Sequence, residues 1–466
     1  MRLLKKLFIF FCLLFILNSS FLNAQTGWFQ QQSGTTNYLR DVFFINELTG
    51  WIVTDSARVL STINGGLNWN TQQIYANPFP NLYTINFANN LTGYIGGGAS
   101  NVVGFGIKYL FKTSNSGANW YVINSEYSGA AFFYFSSIAI INPNIIFAAS
   151  SGQFDLGGSI GDVRKSTNGG TNFLSGFGYG AHTSVTFINE QTGWTVANYF
   201  DDVGTRKKYI LKTTNSGLNW LIQFKDTITQ LSLSKILFLN ENTGYAIGRE
   251  YSPIQTKFFK TTNGGANWNI LTFNNRDKGY SMYFLNVNTG WICGSWYGDS
   301  ASISGTTDGG ETWISQRPDF LLYPNLNSIY FVNSLTGYAV GSSGIILKTT
   351  TGGITFVKQI SQIIPGEYKL YQNYPNPFNP VTKIKFEISD FPLRSRRASE
   401  EVGVGGMTIL KVYDISGKEI QTLVNEQLQP GTYEVTFNGS NLPSGVCFYR
   451  LVAGDFNETK KMLLIK

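Results

Sequence analysis

The sequence has few of the residues from which most catalytic and metal sites are built. It contains one histidine, His182, and three cysteines among 466 residues. A single histidine excludes clusters of histidine ligands and leaves one conceivable histidine-based catalytic arrangement. Because His182 directly precedes the strand-like run Thr183 to Phe187, we interpret it as a loop histidine near a sheet edge. We predict no metal site, no cofactor and no catalytic residue.

The cysteines are also too few to form a disulfide framework. Cys12 lies in the N-terminal segment, and Cys293 and Cys447 fall in different predicted domains. Small secreted domains that depend on disulfides carry several closely spaced pairs. We therefore expect buried apolar area and strand pairing to stabilise the fold.

Long apolar segments are scarce. The only long run, Leu7 to Leu17, follows Arg2, Lys5 and Lys6 and precedes a small residue at Ala24. This pattern is typical of a secretory signal peptide over residues 1–24, with cleavage near Ala24-Gln25, and its core is too short to span a bilayer. We predict that the mature protein has no transmembrane segment.

Charge is sparse as well. Charged residues make up 14% of the chain, and the formal net charge of +7 falls to +4 once Arg2, Lys5 and Lys6 are removed. That balance is too mild to indicate a nucleic-acid partner. Aromatic residues make up 15% and there are 50 glycines, which suits pleated strands joined by tight turns. The sequence predicts an all-β protein.

Two half-motifs alternate along most of the chain. The first reads Phe-x-Asn-x-x-Thr-Gly-aromatic and closes at Trp51, Tyr94, Phe147, Trp194, Tyr245, Trp291 and Tyr338. The second reads Thr-x-Asn-x-Gly-x-Asn-Trp and closes at Trp69, Trp120, Phe173, Trp220, Trp268, Trp313 and Phe356. Each half has the turn chemistry of a hairpin, and two hairpins make a four-stranded blade. Seven such pairs predict a seven-bladed β-propeller.

One strand-like segment lies outside this count. Trp28 to Gln31 resembles the segments that follow the closing Trp of the second half-motif. We predict that it joins the last blade and closes the ring. The alternative is that Phe356 to Ile360 completes that blade.

The last hundred residues lack the repeat and have a different residue pattern. Three prolines between Tyr371 and Pro380 enforce an extended entry, and several short strand-like runs separated by turn residues follow. We predict a small immunoglobulin-like β-sandwich over residues 363–466, after a propeller over residues 25–362.

Both regions resemble known families. The repeat resembles the Asp-box (BNR) repeat and the propeller family of photosystem II assembly factors. Residues 366–466 are similar to the type A C-terminal sorting domain of the type IX secretion system, through Asn373 to Pro380, Gly431-Thr432-Tyr433 and Leu442 to Val446. Cys447 and a charged insertion over residues 391–406 depart from that family's pattern.

The second resemblance implies a route out of the cell. It makes the type IX secretion machinery a partner, and the host a Gram-negative bacterium. The expected destination is the medium or the outer cell surface, reached through the periplasm. The sorting signal would include Lys460, Lys461, Met462, Leu463 and Leu464.

Loop lengths indicate where a binding site would lie. The turns inside the two half-motifs hardly vary, whereas the connections between the halves are long in blades two to six. Variable loops on a rigid scaffold usually carry recognition. The candidate ligand-binding residues are Tyr199, Asp201, Asp202, Arg206, Arg249, Tyr251, Trp296, Tyr297 and Asp299.

These observations predict a monomeric, non-enzymatic binding module for a protein or glycan. One alternative is a secreted carbohydrate-active hydrolase, because Asp-box repeats also occur in sialidases and glycosidases. The second alternative is a protein like the photosystem II assembly factors, which conflicts with an export domain.

Overall fold

The computed structural model describes residues 27–76, 80–100, 106–128, 130, 132–154, 158–178, 180–200, 206–226, 231–251, 254–272, 278–296, 300–316, 325–353, 357–361, 363–389, 406–439 and 442–466. The predicted signal peptide and the predicted insertion over 391–406, apart from Gly406, lie outside these residues. The chain separates into two compact units, with the break after Ile354. The predicted all-β class is confirmed, since the described elements are strands apart from one 3₁₀ turn at Ser342–Gly344.

The first unit is a propeller of antiparallel blades, as predicted. A first strand, β1, covers Trp28–Gln31. Blade 1 follows with β2 (Leu39–Phe44), β3 (Gly50–Thr54), β4 (Arg58–Thr62) and β5 (Asn70–Gln73). Blade 2 contains β6 (Asn81–Phe87), β7 (Gly93–Ser100), β8 (Gly106–Thr113) and β9 (Tyr121–Tyr127). Blade 3 contains β10 (Phe132–Ile140), β11 (Ile146–Gln153) and a third strand in two segments, β12 (Ser159–Ile160) and β13 (Val163–Ser166), which both pair with β11. Its fourth position is marked by a single bridge between Phe177 and Val163.

Blades 4 to 6 have the four-strand order of blade 1, in which consecutive strands pair with each other. Blade 4 contains β14 (Ala181–Phe187), β15 (Gly193–Phe200), β16 (Arg206–Thr213) and β17 (Leu221–Asp226). Blade 5 contains β18 (Leu231–Phe238), β19 (Gly244–Tyr251), β20 (Ile254–Thr261) and β21 (Asn269–Thr272). Blade 6 contains β22 (Lys278–Phe284), β23 (Gly290–Trp296), β24 (Ser300–Thr306) and β25 (Ile314–Ser315). Blade 7 contains β26 (Leu326–Phe331), β27 (Gly337–Gly341) and β28 (Ile346–Thr349).

The N-terminal strand completes the seventh blade. β1 pairs antiparallel with β28, Trp28 opposite Thr349, and the first strands of blades 7 and 1 contact each other. The Trp28 ring meets Phe331 edge to face at 5.7 Å, as Trp69 meets Phe44 in blade 1. Trp28 thus takes the place of the closing aromatic of the box, and the predicted closure of the ring is confirmed.

Aromatic stacking between neighbouring blades forms the core. The closing aromatic of the first half-motif lies flat on the motif Phe of the next blade, for example Trp194 on Phe238 at 3.5 Å and Tyr338 on Phe44 at 3.8 Å. Aromatic pairs bury large apolar areas, so this repeated stack stabilises each blade interface. The interfaces make the propeller a rigid frame for its loops.

The other recurring residues serve the turns. Asn46 Oδ1 accepts hydrogen bonds from the amides of Leu48 and Thr49 at 2.9 and 2.8 Å. In the box, Thr62 Oγ1 accepts from the amide of Gly66 at 2.9 Å, and the φ of +83° at Gly66 requires glycine. The repeated motif residues are therefore structural.

The second unit is a sandwich of two four-stranded antiparallel sheets around one apolar core. One sheet contains β29 (Val357–Ser361), β30 (Lys369–Leu370), β31 (Val381–Ile388) and β34 (Gly431–Asn438). The other contains β32 (Gly406–Tyr413), β33 (Glu419–Leu428), β35 (Gly445–Ala453) and β36 (Phe456–Leu464). In the described residues, no helix is long and apolar enough to cross a membrane.

The structure divides the chain a few residues earlier than the boundary predicted at 362. Strand β29 pairs with β34, so it belongs to the sandwich. The sequence alternative in which Phe356 to Ile360 completes blade 7 is therefore wrong for its described part, because β1 already occupies the edge of β28.

Candidate functional site

The strand order places the connections on two faces of the propeller. In each blade the two constant turns, between strands one and two and between strands three and four, lie at one end, which we call the turn face. The loops between strands two and three and the connections between blades lie at the other end, which we call the variable face. Recognition on a rigid scaffold usually uses such variable connections.

The described candidate residues lie at the variable face on blades 4, 5 and 6. Tyr199 lies opposite Lys207 at the end of the β15–β16 hairpin, and Arg206 lies opposite Phe200. Arg249 and Tyr251 lie at the end of β19. Trp296 ends β23, and its side chain is not described. Asp201, Asp202, Tyr297 and Asp299 lie outside the described residues.

On blade 4, each basic side chain lies over an aromatic ring. Lys207 Nζ is 5.4 Å from the Tyr199 centroid, and the Arg206 guanidinium is 5.3 Å from that of Phe200. Lys208 Nζ is 4.4 Å from the same Phe200 ring. Burial lowers the pKa of Lys208 to about 8. Rings that face cations in this way fix the directions of long side chains.

On blade 5, Arg249 lies between two tyrosines, and we call this group the Arg249 cluster (Arg249, Tyr251, Tyr280 and Ser295). Its guanidinium carbon is 4.5 Å from the Tyr251 centroid and 5.2 Å from that of Tyr280. Nη1 donates to the Tyr280 hydroxyl at 3.2 Å, and Nη2 donates to the Tyr251 hydroxyl. Tyr280 also shares a hydrogen bond with Ser295 at 3.3 Å. The cluster joins blades 5 and 6.

Tyr280 stands at a β-bulge that recurs in every blade. The first strand of each blade skips one residue in its pairing with the second strand. The skipped residues are Arg40, Tyr83, Ser136, Thr183, Ser234, Tyr280 and Asn327. A bulge turns its side chain away from the regular ladder. Here Thr183 and Asn327 donate to the backbone of the next blade, at 3.0 Å to Leu233 O and 2.7 Å to Leu39 O.

A second tyrosine–arginine group lies on blades 1 to 3, the Arg40 cluster (Tyr38, Arg40, Asp55, Tyr83 and Tyr134). Arg40 Nε donates to Asp55 at 2.8 Å, and its guanidinium lies over Tyr38 and Tyr83. Tyr83 stacks on Tyr134 at 3.9 Å. Beside this pair a cavity of 130 Å³ is lined by Ala99, Phe132, Phe133 and both tyrosines. The cavity matches the size of one apolar side chain or of part of a sugar ring.

Acidic and basic groups neutralise each other between blades 2 and 3. Lys108 Nζ is 3.2 Å from Glu126, and Arg164 Nη1 is 2.8 Å from the same carboxylate. Burial lowers the pKa of Lys108. Burial alone would raise the pKa of Asp162, yet Lys108, Ser150 and Arg164 lower it below its ordinary value. The lowered pKa of Asp162 stabilises its ionised carboxylate beside Lys108 and Arg164.

His182 does not lie in a loop as the sequence suggested. It lies in the inner strand β14, fully buried, with Nδ1 3.0 Å from Thr195 Oγ1. Burial lowers the pKa of His182 to about 4, so the ring is neutral at physiological pH. Among the described residues no three acidic, histidine or cysteine side chains are grouped to hold a metal ion.

Sequence reasoning missed Tyr38, Arg40, Tyr83, Tyr134 and Tyr280, because it searched the loops. A signal existed for the bulge residues among them. Each bulge residue lies four positions before the first residue of the Phe-x-Asn motif, and all seven side chains carry a polar group.

The predicted sorting signal forms part of the second unit. Lys460, Lys461, Met462, Leu463 and Leu464 belong to the edge strand β36. Met462 and Leu464 are buried in the sandwich core, and Lys460 pairs with Glu458 at 2.8 Å.

Comparisons with known families match both units. Residues 372–466 match the secretion system C-terminal sorting domain, and residues 260–384 match photosynthesis system II assembly factor YCF48. The predicted resemblances are confirmed. No curated protein matches the chain.

Solved structures with a similar fold include two YCF48 propellers and a polysaccharide lyase. YCF48 bound to D1 peptide has a TM-score of 0.50 and 16% identity over 70% of this chain and 97% of that one. YCF48 from Cyanidioschyzon merolae has a TM-score of 0.49 and 18% identity over 69% and 98%. A PL25 ulvan lyase has a TM-score of 0.48 and 10% identity over 70% and 96%. Because its identity to this chain is only 16%, the similarity to YCF48 bound to D1 peptide shows the propeller fold and nothing more.

Proposed function

We propose that this protein is a non-enzymatic binding propeller that the type IX secretion system exports to the cell surface or the medium. Its ligand, a glycan or a protein, contacts the variable face. The observation that supports this proposal is the placement of the Arg249 and Arg40 clusters on that face, on a frame whose repeated residues are occupied by turns and packing. The match of residues 372–466 to a sorting domain supports the exported location.

The described carboxyl groups with a shifted pKa add no support for hydrolysis. A glycosidase of the usual kind needs one carboxylic acid whose pKa is raised, so that it can donate a proton near neutral pH. Among the described carboxyl groups with a shifted pKa, Asp162, Asp308, Asp414 and Glu458, every shift is downward. A secreted hydrolase is the less supported alternative. The resemblance to photosystem II assembly factors remains a resemblance in fold and sequence.

The test is to capture the ligand with the immobilised mature protein. Polysaccharides and surface proteins from the producing bacterium's envelope and medium are passed over the wild type and over Tyr251→Ala. Tyr251 is 43% exposed at the variable face, and losing an aromatic contact at an interface commonly costs about tenfold in affinity or more. We expect the bound material to bind Tyr251→Ala at least about tenfold more weakly.

A matched control distinguishes binding at the variable face from non-specific binding by exposed tyrosines. Tyr121 is 61% exposed where β9 begins, next to the box turn. Tyr121→Ala should bind like the wild type. Equal losses in the two variants, no loss in either, or breakdown of the captured glycan by the wild type would contradict the proposal.

A further inference from the structure

The described cations of the variable face differ in whether they contact a carboxylate. On blades 1 to 3, Arg40, Lys108 and Arg164 each contact a carboxylate. On blades 4 and 5, Lys257 pairs with Glu250 at 3.3 Å, whereas Arg206, Lys207 and Arg249 form no ion pair within the described part of the chain. Within the described residues, these three cations can meet the charges of an anionic ligand.

The Arg249 cluster presents donors to an incoming group. Both tyrosine hydroxyls accept hydrogen bonds from the guanidinium, so the Tyr251 O–H is left to donate outwards. Nη1 and Nη2 each keep a second N–H beyond the bonds to Tyr280 and Tyr251, whereas Nε is buried. A planar guanidinium with donors to spare suits an oxyanion such as a carboxylate or a sulfate.

Three cations on blades 4 and 5 each lie over an aromatic ring. A polymer with repeated sugar units could use several such pairs. Arg206 faces Phe200, Lys207 faces Tyr199, and Arg249 faces Tyr251. Ring faces give flat apolar contact to sugar rings, while the cations between them meet charges spaced along a chain. The exposed large apolar side chains of this face, Tyr127, Phe132, Phe154 and Tyr251, are spread over blades 2, 3 and 5, which is unlike the continuous apolar core of a protein interface.

We infer that blades 4 and 5 bind an acidic polysaccharide, with Arg249 holding a carboxylate or sulfate and Tyr251 contacting the sugar ring. The inference rests on the proposed function and narrows its ligand class. Arg206 and Lys207 point to opposite sides of β16, so one of the two contacts a further acidic group of the same polymer. Because long-range charge attraction contributes, binding weakens as salt concentration rises.

The experiment measures binding of the full mature chain to two matched ligand pairs by isothermal titration calorimetry. Polygalacturonate is compared with its methyl ester, and dextran sulfate with dextran, so that each pair differs only in the charged group. We expect at least one acidic polymer to bind at least about tenfold more tightly than its neutral partner, since hydrogen bonds to ionised groups are the strong ones. The pair that discriminates identifies carboxylate or sulfate.

The variants test whether Arg249 is responsible. Arg249→Gln should weaken binding of that polymer by about tenfold or more, and Arg249→Lys should recover only part of the loss because it keeps the charge without the planar fork. Arg58→Gln is the matched control, since Arg58 is exposed on blade 1 and its Nε donates to Gln73. Thermal unfolding midpoints verify that each variant is folded.

Several results would overturn the inference. These are equal binding of the charged and neutral partners, equal effects of Arg249→Gln and Arg58→Gln, no binding of either acidic polymer, or equally tight binding of polyglutamate or single-stranded DNA. The failure of the inference is distinguishable from that of the proposed function. Suppose that Tyr251→Ala weakens binding of the captured envelope material but Arg249→Gln does not. The proposed binding face is then supported, and the assignment of an acidic polysaccharide is wrong.

Discussion

At the scale of single residues, His182 illustrates how burial sets chemistry. The ring is fully buried, accepts or donates one hydrogen bond with Thr195, and its pKa is lowered from 6.5 to about 4. Between these values the unfolded chain binds a proton that the folded chain does not. Stability contributed by the neutral ring is therefore complete above pH 6.5 and is lost as the pH falls towards 4.

The pH dependence of unfolding tests this point. The contribution of His182 to the free energy of unfolding of the wild type should fall by about 1.5 kcal/mol between pH 6.5 and 5, because one pKa unit corresponds to about 1.4 kcal/mol and the unfolded histidine is half protonated at pH 6.5. His182→Gln retains a polar partner for Thr195 and removes the only histidine, so this component should vanish. Urea denaturation of both proteins at the two pH values measures the difference. Identical pH dependence would show that His182 is not held neutral by the fold.

The residue scale is also where sequence reasoning reached its limit. The turn roles of Asn46, Thr62 and Gly66 follow from residue type and spacing, because each acts within its own hairpin. The Arg40–Tyr83–Tyr134 contacts join three blades and depend on a bulge in the first strand of blades 1 and 2 and on a single bridge between Tyr134 and Gly98. Loop lengths alone cannot reveal contacts that the ring brings together.

At the scale of elements, the closure of the ring depends on β1. The sequence offered two similar strands for blade 7, Trp28–Gln31 and the segment after the last box, and local pattern could not separate them. The structure assigns Trp28–Gln31 to blade 7 because the other segment, β29, pairs with β34 of the sandwich. These two strands are more than seventy residues apart in the chain, so local pattern could not reveal their pairing. Trp28 Nε1 donates to Gln316 of blade 6 at 3.1 Å, so β1 also joins blade 7 to its neighbour.

Removing the Trp28 side chain should destabilise the propeller strongly. Trp28 is 2% exposed, and a buried Trp→Ala change commonly costs about 3–5 kcal/mol. Trp28→Ala should therefore lower the propeller's unfolding midpoint by many degrees, as measured by calorimetry. Gln30→Ala, at an exposed position of the same strand, should leave the midpoint nearly unchanged. Equal midpoints for the two variants would mean that β1 merely covers a ring already closed.

At the scale of the whole molecule, the two units divide the work. The sandwich carries the match to a sorting domain, and its terminal strand is built into its core through Met462 and Leu464. The propeller uses its recurring residues for turns and blade packing, and we propose that its variable face binds the ligand. The number of blades and the export domain could be predicted from sequence because each repeats or matches a pattern, whereas the ligand depends on side chains gathered from separate blades.

The central claim is that the ligand contacts the variable face, and hydrogen–deuterium exchange tests it most directly. The full mature chain is measured alone and with the material that it captures from the envelope. We predict that binding slows exchange in the ends of β15, β16, β19 and β22 at the variable face, while the turns after Asn46, Asn89 and Asn240 at the turn face remain unchanged. Slowed exchange confined to the turn face, with the variable face unaffected, would contradict the account.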